Sequence, residues 1–201
     1  MSIRFRCFCL GLLTALGCLP GLAWAHVGQG DISGGFMAGF LHPLEGPDHI
    51  IAMVAVGLWG AQLGRPAIWV LPVTFPVVMA FGGALGGAGI ALPGIEIGIA
   101  MSGIVLGAMV ALALRLPLGL AGGIVAVFAI CHGHAHGVEL PQSANPITYA
   151  AGFVIATGLL HLAGILFGTL HHWRRGAQAL RTVGAMIAAG GGYFLYAALQ
   201  G

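Results

Sequence analysis

The sequence predicts an all-α, polytopic membrane protein built as a bundle of transmembrane helices. Of its 201 residues, 59% are hydrophobic and 6% are charged, and none is lysine. A soluble globular chain carries about 25% charged residues, so this chain cannot cover a core with a solvated surface. The same composition excludes a disordered chain, which needs low hydrophobicity and high charge. The seven arginines are scattered and form no basic patch, which excludes nucleic acid as a partner.

The first segment, residues 1–25, has the pattern of a cleaved secretory signal peptide. Arg4 and Arg6 lie near its start, an apolar stretch follows over 7–19, and the segment ends in Ala-Trp-Ala at 23–25. This order of charged, apolar and small residues is typical of a cleavage site. An uncleaved anchor helix is the alternative. Cleavage makes His26 the first residue of a mature domain that extends over 26–201.

Six apolar spans are predicted in the mature chain, at 32–63, 67–90, 95–115, 117–137, 146–171 and 177–199. Each is long enough to cross a hydrocarbon core of ~30 Å, which needs about 20 helical residues. The first span is too long for one straight helix and contains Pro43, Gly46 and Pro47. We therefore predict that it is broken into two half-helices.

The arginines test the orientation of these spans. If the mature chain starts outside the cytoplasm, six crossings also place its C-terminus outside. The arginines that follow the signal segment then all lie in or beside cytoplasmic loops: Arg65, Arg115, Arg174, Arg175 and Arg181. This bias agrees with the positive-inside rule.

Two short stretches concentrate the ionisable side chains. Residues 42–49 in the first span and 131–139 at the end of the fourth hold five of the nine histidines and three of the five acids. Such groups cost about 2.5–3.5 kcal/mol each inside a membrane, so they need a partner or a function. A structural hydrogen-bond network is the alternative, but two clusters contain more groups than one network needs.

Imidazole and carboxylate together are ligands for a divalent transition metal such as Ni²⁺, Co²⁺, Zn²⁺ or Cu²⁺. On a helix His132 and His136 share one face, which Glu139 extends. A break in the first span would let Asp48 and His49 face a cavity. Because the first span runs inward and the fourth runs outward, both clusters are predicted in the outer half of the membrane.

The motifs His42-x5-Asp48-His49 and His132-Gly-x-Ala-His136-Gly-x-Glu139 closely resemble the HupE/UreJ family of nickel/cobalt permeases, over nearly the whole mature chain. The resemblance implies secondary uptake of Ni²⁺ or Co²⁺ as substrate, without a prosthetic group, for nickel enzymes such as hydrogenase and urease. It implies the bacterial inner membrane, with both mature termini periplasmic. It assigns metal recognition to His42, Asp48, His49, His132, His136 and Glu139.

One position departs from the family pattern, which usually has an aromatic residue where this chain has Cys131. Its thiol is a soft ligand, so the preference for nickel over copper stays open. Three weaker candidates for the metal path are His26, Glu96 and His134. His26 combines an amine and an imidazole, and Glu96 would attract cations electrostatically. His161 is predicted to make a structural hydrogen bond. His171 and His172 are predicted to belong to an interfacial anchor belt, with an exit relay as the alternative.

Other functions compete with an independent transporter. The chain has no G-x-x-x-x-G-K-[ST] motif, so it does not hydrolyse ATP itself, but it would also suit the membrane subunit of a larger metal-uptake complex. A membrane-embedded metallohydrolase is a second alternative, but the chain lacks the H-E-x-x-H pattern. A metal sensor or scaffold is a third. An enzyme is not predicted. The choice between nickel and cobalt, the coupling ion and the formation of a homo-oligomer stay open.

Overall fold

The computed structural model describes residues 32–139 and 145–200. The predicted signal peptide, its cleavage site and His26 lie outside these residues. Within them all regular secondary structure is helical, without strands, which confirms the all-α class. The described residues form α1 (Ile32–Glu45), α2 (Pro47–Leu63), α3 (Ala67–Gly87), α4 (Ile95–Leu112), α5 (Leu118–Val138), α6 (Pro146–Gly168), a 3₁₀ helix (Thr169–His172) and α7 (Arg174–Ala198).

Among the described residues, four helical segments are long and apolar enough to cross a membrane, by length and composition. They are α3, α4, α5, and α6 together with the 3₁₀ helix that follows it. The helices α1 and α2 contain 14 and 17 residues, each shorter than the about 20 residues that a crossing typically needs. The 25-residue helix α7 carries three arginines in its first turns, at 174, 175 and 181. The described residues therefore form a helical membrane protein with four full-length candidate spans.

The predicted break in the first span lies at Gly46. This residue is extended, with φ −93° and ψ 105°, and separates α1 from α2. Pro47 begins α2, where its missing N–H removes no helical hydrogen bond, while Pro43 lies in the last turn of α1. The two prolines and the glycine thus produce two helix ends beside His42 and Asp48.

Three predicted span boundaries differ from the helices by three residues, and one of them is the start of the sixth span, where α7 begins at Arg174 rather than 177. The second span ends at Gly87 rather than 90, before a turn in which Gly89 has a positive φ of 73°. The third ends at Leu112 rather than 115, because Ala113 has a left-handed conformation with φ 51°. Neither turn is marked by a proline at the point where the helix stops, so hydropathy alone extends both spans too far.

Glycines set the close contacts between helices. A Cβ on Gly133 of α5 would collide with the carbonyl oxygen of Met79, and one on Gly137 with that of Gly83. From the first contact to the second, the residue number rises by four on α5 and by four on α3, so the two helices run parallel. Small residues allow such close approach where lipid supplies no hydrophobic drive. Because these glycines alternate with the histidines of α5, the contact also fixes the depth of the second motif.

The other main contacts follow the same principle. The broken pair α1 and α2 runs parallel to α6, and a Cβ on Gly164 would collide with the carbonyl oxygen of Val54. The helices α4 and α7 run antiparallel, with Gly103 against Gly191 and Gly107 against Ala188. The buried apolar core contains side chains from α2 to α7, among them large ones such as Trp59.

Candidate metal centre

The structure brings the two sequence motifs together where α1 ends, α2 begins and α5 ends. Four imidazole rings form a continuous row. The ring centroids of His42 and His136 are 4.7 Å apart, those of His136 and His49 are 4.3 Å apart, and those of His49 and His132 are 4.5 Å apart. Two helix ends and one uninterrupted helix therefore supply one cluster of nitrogen atoms.

Glu139 completes the outer end of this row. Its Oε2 lies 3.2 Å from Nε2 of His42 and 3.8 Å from Nδ1 of His136. One ligand atom from each of these three residues falls within 4.8 Å of the others. In zinc sites N and O ligands bind at about 2.0–2.2 Å from the ion. Small side-chain movements would therefore let one cation contact all three.

Asp48 lies behind His49 rather than in the row of ligand atoms. Its Oδ1 accepts hydrogen bonds from the backbone N–H and from Nδ1 of His49, both at 2.9 Å. The Nε2 atom of His49 is left buried and has no hydrogen-bond partner among the described residues. A carboxylate on one ring nitrogen fixes the tautomer and directs the other nitrogen to a metal. The geometry thus suits Asp48 for orienting His49.

Ser102 of α4 supports His132, a role that the sequence analysis missed. Its Oγ lies 2.6 Å from the carbonyl oxygen of Ile99 and 2.8 Å from Nε2 of His132. If the hydroxyl hydrogen is donated to Ile99, its oxygen accepts the Nε2–H of His132. The buried Nδ1, which has no partner in the described part of the chain, then carries a lone pair. The sequence could have indicated this role, because α4 is otherwise apolar and its polar side chains are Glu96 and Ser102.

The solvent exposure of the side chains decreases from one end of the cluster to the other. The side chain of Glu139 is 58% exposed and that of His42 is 23% exposed, whereas His132 is fully buried. Within the described residues, the carboxylates of this region pair with histidines and not with arginines. The gradient defines an open end at Glu139 and a closed end at His132.

Aromatic side chains enclose the cluster. The ring centroid of Phe153 lies 4.5 Å from that of His136, and Phe75 lies 5.5 Å from His132. A cavity of about 210 Å³ between α3, α5 and α6 reaches His136 and is lined by Tyr149 and Phe153. These aromatic residues come from α3 and α6, so their place beside the histidines depends on helix packing rather than on either motif.

Of the weaker candidates, Glu96 and His134 do not join this group, and His26 lies outside the described residues. His134 is on α5, but its Nε2–H donates to the carbonyl oxygen of Ile90 at 2.7 Å. Glu96 is exposed at the start of α4. The thiol of Cys131 lies over Gly98 of α4. Their part in the metal path stays a prediction.

The remaining histidines divide into two cases. His171 lies in the 3₁₀ helix beside the arginines of α7, where its Nδ1–H donates to the carbonyl oxygen of Gly168 at 2.8 Å. His161 is buried in α6, and neither of its ring nitrogens has a hydrogen-bond partner among the described residues. The structural hydrogen bond predicted for His161 is therefore not found there.

The fold and the site define a helical membrane protein whose broken helix pair and α5 enclose a cluster of imidazoles and carboxylates. The chain belongs to the HupE/UreJ family: the sequence model described as HupE / UreJ protein matches residues 13–194. It is 44% identical to Protein HupE of Rhizobium leguminosarum bv. viciae over 177 residues, which cover 88% of this chain and 92% of that protein. No solved structure matches the chain. The family resemblance seen in the two motifs is confirmed.

Proposed function

We propose that the chain is a secondary transporter that takes up Ni²⁺ or Co²⁺ across the bacterial inner membrane. The observation that supports this most is the set of unpaired nitrogens in the cluster. Four ring nitrogens are buried without a hydrogen-bond partner among the described residues: Nε2 of His49, Nδ1 of His132 and both nitrogens of His136. Buried polar atoms are almost always hydrogen-bonded, so unpaired ones need an explanation. A divalent cation would bind several of them at once.

The ligand chemistry favours these ions. Imidazole suits nickel and cobalt, and the order of affinity among first-row metals leaves the choice to geometry. We infer that Glu139 captures the hydrated cation at the open end and that His42 and His136 replace its first water molecules. The buried nitrogens of His49 and His132 then draw it inward. Glu139 offsets the charge directly and Asp48 does so through His49.

The proposal includes a topology of six crossings. The pair α1 and α2 forms one broken crossing, α3 to α6 form four, and α7 forms the last. The helix contacts are compatible with alternating crossings. α3 packs parallel to α5, α1 and α2 pack parallel to α6, and α4 packs antiparallel to α7. The arginines lie at the helix ends opposite the metal cluster, which would place the cluster towards the periplasm. A cleaved signal segment at 1–25 would leave both mature termini there.

The ion is the substrate, the bilayer is the surrounding partner, and no prosthetic group is needed. All candidate ligands come from one chain, so one copy supplies a whole site. The transported nickel would serve the maturation of nickel enzymes indirectly. The chain would not act as an enzyme.

Uptake by purified protein in proteoliposomes tests this function. Vesicles loaded with a metal-sensitive dye should report Ni²⁺ or Co²⁺ entry without ATP. A variant that combines His42→Ala with His136→Ala should show entry near that of empty vesicles. The matched control His172→Ala, at the opposite end, should behave like the wild type. Entry that requires an added ATPase would favour the subunit of a larger complex, and metal-dependent hydrolysis without entry would favour the metallohydrolase.

A further inference from the structure

The buried face of α6 continues inward beyond the cluster. Tyr149, Phe153, Thr157 and His161 follow at intervals of four residues, so their side chains share one face of the helix, and all are buried. Phe153 lies against His136 with ring centroids 4.5 Å apart. His161 lies about 12 Å further along the helix than Phe153, at 1.5 Å per residue. The outer cluster is the candidate metal centre at His42, His49, His132, His136 and Glu139. The face of α6 that lines it therefore continues deeper into the bundle.

Phe75 of α3 connects these two levels. Its ring is fully buried, and its centroid lies 5.5 Å from that of His132 and 5.4 Å from that of His161. The closed end of the outer cluster and His161 are thus in contact with one and the same aromatic side chain.

His161 and Thr157 carry polar atoms that the fold does not use. His161 is 2% exposed and Thr157 is fully buried. Neither the ring nitrogens of His161 nor the hydroxyl of Thr157 has a hydrogen-bond partner among the described residues. A helical threonine can donate to the carbonyl one turn earlier, yet this one does not. Because unpaired buried polar groups reduce stability, apolar side chains would serve a packing role better.

We propose that His161 and Thr157 form an inner binding station for the transported cation, which reaches it from the outer cluster past Phe75. This inference rests on the proposed transport of Ni²⁺ or Co²⁺. Imidazole nitrogen is a suitable ligand for such ions, and the threonine hydroxyl would add a weaker oxygen contact. A weak second site allows an ion to leave the first, since conduction requires binding that is multi-site rather than tight at one place. Neither residue belongs to the two sequence motifs.

Two substitutions separate this station from the outer cluster. His161→Leu removes both ring nitrogens and keeps a buried side chain, and Thr157→Val removes only the hydroxyl. Loss of a ligand at an intermediate station should raise the transport barrier enough to slow Ni²⁺ entry into proteoliposomes by about tenfold for His161→Leu. Thr157→Val should have a smaller effect of the same sign. The Ni²⁺ affinity of the purified protein at equilibrium should change little in both, because the outer cluster is intact.

Further variants exclude a structural explanation. His161→Gln restores a polar group and should recover part of the rate, and His172→Leu removes a histidine outside the path and should leave the rate unchanged. A wild-type rate for His161→Leu would overturn the inner station while leaving the proposed function in place. A combined loss of Ni²⁺ affinity and rate would also overturn it, by making His161 a support for the outer cluster. A wild-type protein that takes up neither metal would refute the proposed function itself, and the station with it.

Discussion

His132 and Ser102 form a buried hydrogen bond between α5 and α4, with Nε2 and Oγ 2.8 Å apart. The hydroxyl also contacts the carbonyl oxygen of Ile99 at 2.6 Å. Satisfying both polar groups requires the hydroxyl to donate to Ile99 and the ring to donate through Nε2. The relationship makes Nδ1 of His132 the nitrogen available to a metal, since it is buried without a partner in the described region.

Substituting Ser102 by Ala should weaken metal binding without removing a ligand. The ring of His132 would lose the acceptor that fixes its tautomer, and loss of such a supporting group typically reduces metal affinity by about 10- to 100-fold. Equilibrium binding of Ni²⁺ to purified protein measures the effect. Thr182→Val is the control, because it removes a helix-bonded hydroxyl from α7. Equal affinities for the wild type and Ser102→Ala would show that the tautomer of His132 is fixed by something else.

Asp48→Asn should abolish most metal uptake while the protein remains in the membrane. The amide retains the shape of the carboxylate but loses the charge that polarises His49 through Nδ1. The measurement is metal accumulation in cells at matched levels of membrane protein. Glu45→Gln is the matched control, because it removes an exposed carboxylate three residues earlier that makes no ion pair with these histidines in the described part of the chain. Near-normal uptake by a double variant with Asp48→Asn and His132→Ala would mean that both motifs are structural.

The part of this site that was predictable from the sequence is the part that local chemistry determines. Proline at 43 and 47 and glycine at 46 predict the break in the first span, because a proline inside one continuous helix would lack a hydrogen bond and glycine permits extended backbone. The four-residue spacing of His132 and His136 predicts a shared face because a helix has 3.6 residues per turn. These features need no knowledge of which helices touch.

The supporting residues could not be predicted in this way because they depend on helix packing. Ser102 and Phe75 reach His132 from α4 and α3, and small residues spaced for close packing occur in almost every span. That pattern indicates tight contact but does not identify the partner helix. The indirect role of Asp48 depends on its side-chain conformation at the helix break, which the motif does not specify.

The proposed topology can be tested with reporter fusions. Alkaline phosphatase is active only outside the cytoplasm, so a fusion after Leu199 should be active if the chain crosses the membrane six times. A fusion at Arg175, beside the cytoplasmic arginines, should be inactive. The reverse pattern at these two positions would refute six crossings that start from a periplasmic N-terminus. The fusion proteins should be compared at equal abundance, since weak expression also lowers the signal.

Metal affinity should fall as the pH is lowered. A ring nitrogen binds metal only when it carries no proton, so binding releases protons and protons compete with the ion. His42, His49 and His136 offer nitrogens in the same row, and each nitrogen that binds the ion must be free of a proton, so more than one proton competes with the ion. Equilibrium binding of Ni²⁺ to purified protein, compared at about pH 8 and about pH 5, isolates this effect from any proton gradient that drives transport. His42→Gln should bind more weakly, because one ring nitrogen of the row is gone. The same affinity at both ends of the range would mean that carboxylates, rather than imidazoles, hold the ion.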